Sequence, residues 1–242
     1  MIKSKKSLSQ NFLFDKNIAN KIINLVEIEN RIILEIGPGL GFMTDFILKK
    51  NPKYLYVIEK DNNLAKELKN KYKKNNRIKI IEKDILKFDL SNFKNLIIIS
   101  NLPYNISTKI ILYLFKYNKN INQMIFMIQK EVAIKFDYML PNMNKYKFLT
   151  KITSSFERCF DVSSKVFQPK PKVTSSVVRF QLNEEKLNLK KANIFINLIF
   201  KNIRKKIYKN LKLDNKHDNL YNKRVNEISI KDLLNIYNSF QP

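Results

Sequence analysis

The sequence predicts an α/β protein: a doubly wound, mostly parallel sheet over residues 1–182, then a small basic helical domain over 183–242. Three observations predict it. Short apolar, β-branched runs alternate with segments of helical period as far as residue 182, the pattern of strands laid side by side and joined by crossover helices. All three glycines of the chain fall in one five-residue stretch, Gly37-Pro38-Gly39-Leu40-Gly41, between such a run and a helical segment. From Asn183 onward the strand signals vanish, and Lys-rich segments of helical spacing follow.

The elements follow in order. Asp15 is a candidate N-cap for a helix with Ile18, Ala19, Ile22, Ile23 and Val26 on one face. Arg31–Ile36 is a buried strand, and the glycine turn leads from it into a helix over Phe42–Lys50. A second strand, Tyr54–Ile58, ends in Glu59, and Asp61 can cap the helix carrying Leu64, Ala65, Leu68 and Tyr72. Ile78–Ile81 and Leu96–Ser100 read as the third and fourth strands. A helix over Ser107–Tyr117, a strand over Gln123–Ile128 and a short helix over Gln129–Phe136 come next. A polar loop with Pro141 covers 137–146, and 147–155 has helical spacing. A late strand, Val173–Leu182, follows the turn Phe167-Gln168-Pro169-Lys170-Pro171. There are no internal repeats.

Bulk properties narrow the class. A chain of 242 residues suits one sizeable domain with an appendage, and 44% hydrophobic residues suffice for a packed core. Lys and Arg number 46 against 21 Asp and Glu, a net charge of +25. Such an excess implies a polyanionic partner, above all nucleic acid. The competing account is compositional, because AT-rich coding inflates Lys, Asn and Ile together. A single cysteine, Cys159, and a single histidine, His217, exclude a disulfide framework and a Cys/His zinc site. Cys159 is expected in the core on a strand, and His217 on the surface. No apolar run approaches the ~20 residues of a membrane span, and the basic N-terminus lacks an apolar signal core. The expected setting is reducing, soluble and cytoplasmic, with no metal.

Two stretches carry chemistry. Glycine is required where φ is positive or where a ligand comes against the main chain. The dinucleotide fingerprint is G-x-G-x-x-G. Here the spacing is G-x-G-x-G after Glu35, which resembles the first motif of S-adenosylmethionine (SAM) methyltransferases. Glu59, 22 residues after Gly37, ends the second strand, where an acid can accept from ribose hydroxyls. Its bland alternative is a solvated loop acid, as neighbouring Asp61 is read. The second stretch, Asn101-Leu102-Pro103-Tyr104, follows the fourth strand at its carboxyl end. A nucleobase amine is a poor nucleophile because its lone pair is delocalised. The Asn101 side-chain carbonyl and the Leu102 backbone carbonyl can accept its N–H bonds and favour pyramidal nitrogen. Pro103 stiffens the turn, and Tyr104 offers a flat face to a base taken out of its stack. The tetrapeptide resembles the [DN]-[PIL]-P-[YF] signature of amino-group N-methyltransferases.

Taken together the chain resembles the small-subunit ribosomal RNA adenine N6,N6-dimethyltransferases. The likeness runs from Lys5-Lys6-Ser7-Leu8-Ser9-Gln10-Asn11-Phe12-Leu13 through Glu35–Gly41, Val57-Ile58-Glu59 and Asp84-Ile85 to Asn101–Ser107. It continues through Met127–Ala133, Phe167–Val173 and a last patch, Phe200–Leu211, containing Arg204-Lys205-Lys206 and Asn210. The resemblance implies a Rossmann-like fold with SAM as cofactor. It implies that Asn11 and Leu13 contact SAM, that Gly37 and Gly39 lie against it, and that Glu59 holds the ribose. It further implies that Asp84, with Ile85, meets the cofactor's adenine and that Asn101 lies between cofactor and substrate. The implied substrate is a pair of adjacent adenines in a hairpin near the 3′ end of small-subunit RNA, met by a monomer within a pre-30S particle.

The chain departs from the family pattern in places. Ser9 stands where glycine is usual, Asn142 and Lys147 replace glycines of the 137–147 loop, and the C-terminal domain is short. Other readings compatible with the motifs are a large-subunit RNA adenine methyltransferase of the macrolide-resistance kind and a non-catalytic ribosome-assembly or transcription factor on the same fold. A nicotinamide enzyme is disfavoured by the glycine spacing.

Overall fold

The computed structural model describes residues 11–183, 188–213 and 218–241. The basic stretch Lys5–Gln10, Ser9 and His217 lie outside the described residues. In chain order, β1 (Phe12–Leu13) and α1 (Lys16–Ile23) come first. They are followed by β2 (Ile32–Ile36), α2 (Phe42–Lys49), β3 (Tyr54–Glu59), α3 (Asn62–Lys71) and β4 (Ile78–Glu82). Next are β5 (Leu96–Asn101), α4 (Ser107–Leu114), β6 (Ile121–Gln129) and α5 (Lys130–Phe136). The chain then forms α6 (Lys145–Thr153), β7 (Ser154–Val162), β8 (Phe167–Gln168) and β9 (Ser175–Leu182). It closes with α7 (Leu189–Ile199), α8 (Ile207–Leu211) and α9 (Ile230–Ser239).

The main sheet has the order β4-β3-β2-β5-β6-β9-β7. Neighbours from β4 to β6 are all parallel, and β9 runs antiparallel to β6. This is the doubly wound, mostly parallel sheet expected. The central strands are buried on both faces, so they read as unbroken apolar runs such as Ile97-Ile98-Ile99. From β2 the chain winds outward to β3 and β4, then returns to place β5 on the other side of β2. The order reverses between β2 and β5, and in such sheets a crevice opens there beyond the carboxyl ends.

Local chemistry explains the helix starts. Asp15 Oδ1 accepts the N–H groups of Asn17 (2.8 Å) and Ile18 (3.0 Å), so α1 begins where expected. It ends at Ile23, and Val26 lies beyond it. Asp61 caps α3 through the N–H groups of Asn63 and Leu64. At 6% exposure it is not the solvated loop acid expected, because capping two N–H groups holds it against the helix.

Three elements were not anticipated. The two-residue strands β1 and β8 pair antiparallel, Phe12 with Gln168 and Leu13 with Phe167. Strand β7 begins inside the segment read as helical to residue 155, and α6 stops at Thr153. As an edge strand rich in charge (Ser-Ser-Phe-Glu-Arg-Cys-Phe-Asp-Val), β7 carries no clean alternation. Cys159 does lie on a strand, β7, but half-buried against the core.

The chain divides into two compact units: residues 1–133 with 157–184, and residues 134–156 with 185–242. This corrects the single boundary expected between residues 182 and 183. The physical reason is apolar packing. Met143 and Phe148 belong to the same buried cluster as Phe195, Ile199, Leu233 and Tyr237, so the α6 segment completes the helical core. The Phe148 ring lies 5.3 Å from that of Phe195 and 5.4 Å from that of Tyr237.

Glycine scarcity has a visible substitute. Asn30, Asn51, Asn95 and Asn142 all hold φ between 49° and 64°. Asn is the non-glycine residue that best tolerates this left-handed region. Asn142 is one of the two residues standing in for a family glycine. The other, Lys147, is 3% exposed and donates from Nζ to the carbonyls of Leu140 (2.8 Å) and Pro141 (2.5 Å). Burial pulls its ammonium below the ordinary lysine range, against the opposing charge of Asp137.

Candidate active site

Four parallel strands bring their carboxyl ends to one edge of the sheet. β2 ends in the glycine turn, β3 in Glu59, β4 just before Asp84, and β5 in Asn101. Sequence-distant residues therefore meet around one cavity of about 880 Å³. That is at the upper end of the size range for small-molecule sites.

The glycine turn has φ of +62° at Gly37 and +61° at Gly39. Elsewhere among the described residues four Asn and Lys212 hold such angles, so conformation alone does not account for glycine here. At Gly39 a Cβ would stand 2.7 Å from the Phe12 ring, a clash within the protein itself. At Gly37 the nearest atoms would be Pro103 ring carbons at 3.8 Å, an ordinary contact. The fold leaves room for a side chain at Gly37. What glycine preserves there is the empty space along the main chain beside the cavity.

Four acids stand in the cavity wall, Glu35, Asp45, Glu59 and Asp84, and Asp45 is paired with Lys71 at 2.7 Å. Glu35, on β2, is 2% exposed and accepts the Thr44 hydroxyl at 2.6 Å. Burial pushes its carboxyl up to about 8, opposed by the Thr44 hydrogen bond and the charge of Lys71 and reinforced by Asp45 and Glu59. Glu59 is 6% exposed, and its Oε1 accepts the Asp61 N–H at 2.8 Å. Burial also raises Glu59, while the N–H groups of Asp61, Lys60 and Gly39 oppose the rise. Asp84 behaves differently. Burial raises its carboxyl, but Lys60 Nζ at 2.8 Å, the Leu86 N–H and the charges of Lys60 and Lys87 together bring it below the ordinary range. Glu35 and Glu59 thus present buried oxygens to the cavity, and Asp84 an ion-paired one.

At the end of β5, Asn101 Nδ2 donates to the Asn11 carbonyl at 3.0 Å. That bond leaves Oδ1 buried without a hydrogen-bond partner, and no other buried side-chain polar atom among the described residues lacks one. An orphaned buried acceptor costs about 1–3 kcal/mol. Leu102 is 1% exposed and is held by its N–H on the Met127 carbonyl (3.1 Å). The Tyr104 hydroxyl lies 2.5 Å from Ser175 Oγ, which fixes the ring's orientation. Burial raises that phenol, and the Ser175 bond lowers it.

The residues expected from sequence to meet the cofactor or the target amine all line this cavity. Gly37 and Gly39 form its floor with Glu59, and Asp84 and Ile85 line it from the segment after β4. Asn101, Leu102 and Tyr104 line it from the end of β5, and Asn11 and Leu13 from the start of the described chain. Leu13 is mainly a core residue, 5% exposed. Sequence reasoning missed Lys60, whose ion pair holds Asp84, Thr44, which holds Glu35, and Phe14 at the rim. Thr44 and Phe14 sit in ordinary helix and strand-end contexts. Nothing in their sequence neighbourhood marks them. Among the described residues no three His, Cys, Asp or Glu side chains converge as metal ligands, and no helix is long and apolar enough to cross a membrane.

A parallel sheet with a glycine turn at its switch point, an acid ending the next strand and an Asn-Leu-Pro-Tyr turn across the cavity defines the Rossmann-like SAM methyltransferase class. Solved structures share the fold. The chain superposes on the 23S rRNA methyltransferase ErmE with a TM-score of 0.77 and 21% identity, covering 94% of this chain and 98% of that one. A dimethyladenosine transferase from Plasmodium falciparum gives a TM-score of 0.73 and 24% identity, covering 94% of this chain and 88% of the other. The sequence goes further. The family described as Ribosomal RNA adenine dimethylase matches residues 1–242, and this chain belongs to it. The Ribosomal RNA small subunit methyltransferase A of Hydrogenobaculum sp. (strain Y04AAS1) is 37% identical, covering 99% of this chain and 94% of the relative. The protein of the same name from Buchnera aphidicola subsp. Baizongia pistaciae is 45% identical over 72% of this chain and 68% of its own length.

Proposed function

We propose that this protein transfers methyl groups from SAM to N6 of two adjacent adenines in a hairpin near the 3′ end of small-subunit ribosomal RNA. The observation that carries this reading is the buried, unpartnered Oδ1 of Asn101, on the same cavity as Tyr104 and the glycine turn. A structure retains such a liability where a ligand completes it.

The residues present fit the cofactor. Gly37 leaves the main chain bare beside the cavity, the buried carboxylate of Glu59 would accept ribose hydroxyls, and Asp84 with Ile85, on the same cavity, would meet the adenine. Bound there, SAM would supply an electrophilic methyl group, its sulfur being the leaving group that keeps the bonding electrons. Asn101 Oδ1 and the Leu102 carbonyl accept the two N–H bonds of the target amine and free its lone pair. Tyr104, pinned by Ser175, stacks on the extracted base. Catalysis here is positioning. The methylated nitrogen is acidic enough to lose its proton to water or a carbonyl, so a neutral Asn suffices where a strong base seems needed. A second round on the same nitrogen gives the dimethyl product.

The +25 net charge suits an RNA partner, with exposed Arg204, Lys205 and Lys206 available to phosphates. We place the protein in the cytoplasm, acting as a monomer on a pre-30S particle. The likeness to a 23S rRNA methyltransferase supports the fold; the relatives of higher identity that span this chain carry small-subunit names. Labelled SAM offered with unmethylated small and large subunits should label the small-subunit RNA. Label confined to large-subunit RNA would favour the macrolide-resistance kind of reaction.

The ribose assignment has its own test. Glu59→Ala should weaken SAM binding about ten- to a hundred-fold in calorimetric titration, the cost of roughly 1.5–3 kcal/mol for losing a charged acceptor. Glu59→Gln, able to keep the Asp61 contact, separates ligand binding from local folding. Wild-type affinity in both variants removes Glu59 from the site.

A further inference from the structure

One part of the cavity is not used by this chemistry. Phe14 is 54% exposed and Leu40 46% exposed, and both belong to the cavity wall. The other large apolar side chains left exposed, such as Met139 and Ile203, lie outside it. Phe14 is also well anchored. Its N–H donates to the Val166 carbonyl at 3.2 Å, extending the β1–β8 pairing by one residue. The next residue, Asp15, is locked as the cap of α1. Both flanks of the backbone are fixed while the ring stands in solvent.

An exposed aromatic ring on a fixed backbone at the edge of a cavity is placed to receive a flat ligand group. A base drawn into the cavity leaves the neighbouring base in the strand with one bare face. That lost stacking is a cost of extraction. Unstacked bases of single-stranded RNA are met by aromatic side chains. Of the lysines on the same cavity, Lys60 is paired with Asp84 and Lys71 with Asp45, which leaves Lys83 to meet a phosphate. Lys83 has no carboxylate partner among the described residues.

We propose that Phe14 is a stacking platform for the nucleobase next to the one being methylated, so that extraction of one base and capture of its neighbour occur together. This rests on the reading of the cavity as the seat of an extracted adenine. Leu40 extends the apolar rim.

The test uses the full-length protein with Phe14→Ala and Phe14→Trp. Steady-state methyl transfer to unmethylated small subunits, SAM calorimetry, and binding of a short single-stranded oligoadenylate at about 0.3 M salt are measured for each. Phe14→Ala should raise KM for the subunits and weaken oligoadenylate binding by about five- to a hundred-fold, the range of one lost stacking contact. SAM affinity and kcat should stay within about two-fold, and Phe14→Trp should restore KM. Wild-type oligoadenylate affinity in Phe14→Ala overturns the proposal. So does a loss of SAM affinity matching the loss in transfer, which would make Phe14 a cofactor contact, or a Phe14→Trp variant as weak as Phe14→Ala. If the wild type leaves small subunits unmethylated yet Phe14→Ala loses oligoadenylate, the substrate reading fails and the platform stands.

Discussion

Asn101→Ala is expected to slow single-turnover methyl transfer by about 10²-fold or more, the scale of removing one aimed polar group from a reaction centre. Its effect on stability should be small, for a reason visible in the site. The side chain makes one bond, Nδ2 to the Asn11 carbonyl, and carries one orphaned acceptor, Oδ1. Alanine loses the bond, worth about 0.5–1.5 kcal/mol, but relieves the buried unsatisfied oxygen, which costs about 1–3 kcal/mol. The two nearly cancel, and the melting temperature should hold or rise slightly. That pattern, stability kept and rate lost, marks a group retained for function. SAM affinity should be nearly intact in calorimetry. Tyr104→Phe, which loses only the bond to Ser175, should retain most activity as a control. Wild-type rates in Asn101→Ala, or an unfolded variant, would make the turn structural.

The second large effect is a pH dependence set by Glu35. Its carboxyl sits at about 8 in the folded chain against an ordinary value of 4.5. An acid raised on folding means that the folded state binds more protons than the unfolded state between those values. Stability from this group is therefore fully present below about pH 4.5 and is lost as pH rises through 8. The span corresponds to on the order of 4–5 kcal/mol. Other groups titrate too, so the readout is a difference. Glu35→Gln can still accept the Thr44 hydroxyl but carries no proton to lose. Denaturant unfolding without cofactor should show the two proteins converging near pH 5 and Glu35→Gln the more stable by several kcal/mol near pH 9. Parallel curves across that range would show that Glu35 ionises at little cost.

The parallel strands and their helices were legible because buried strands must be apolar throughout and helix starts need capping acids. Both leave local marks: Leu96–Ser100 and Asp15 show them plainly. The cavity residues were legible for a different reason. In a chain that uses Asn for four other left-handed turns, glycine at 37 and 39 reports a constraint beyond φ. What escaped notice depends on distant partners. β1 exists only because residues 167–168 come back to pair with it, and β7 is a charged edge strand with one side to satisfy. The unit boundary was misplaced because Phe148 is apolar in either unit, and only its packing against Phe195 and Tyr237 assigns it. Phe14 carries no mark in its sequence neighbourhood. Its meaning lies in exposure, which sequence does not carry.

Dimethylation of two neighbouring adenines of small-subunit RNA is the reaction we propose for this cavity. It is tested most directly by incubating the protein with labelled SAM and unmethylated small subunits, then mapping the modified nucleotides and identifying the modified base. N6,N6-dimethyladenosine is expected at two adjacent positions of a hairpin near the 3′ end, and none with Asn101→Ala on the same timescale. Label absent from the small-subunit RNA, or present as a different modified base, would contradict it.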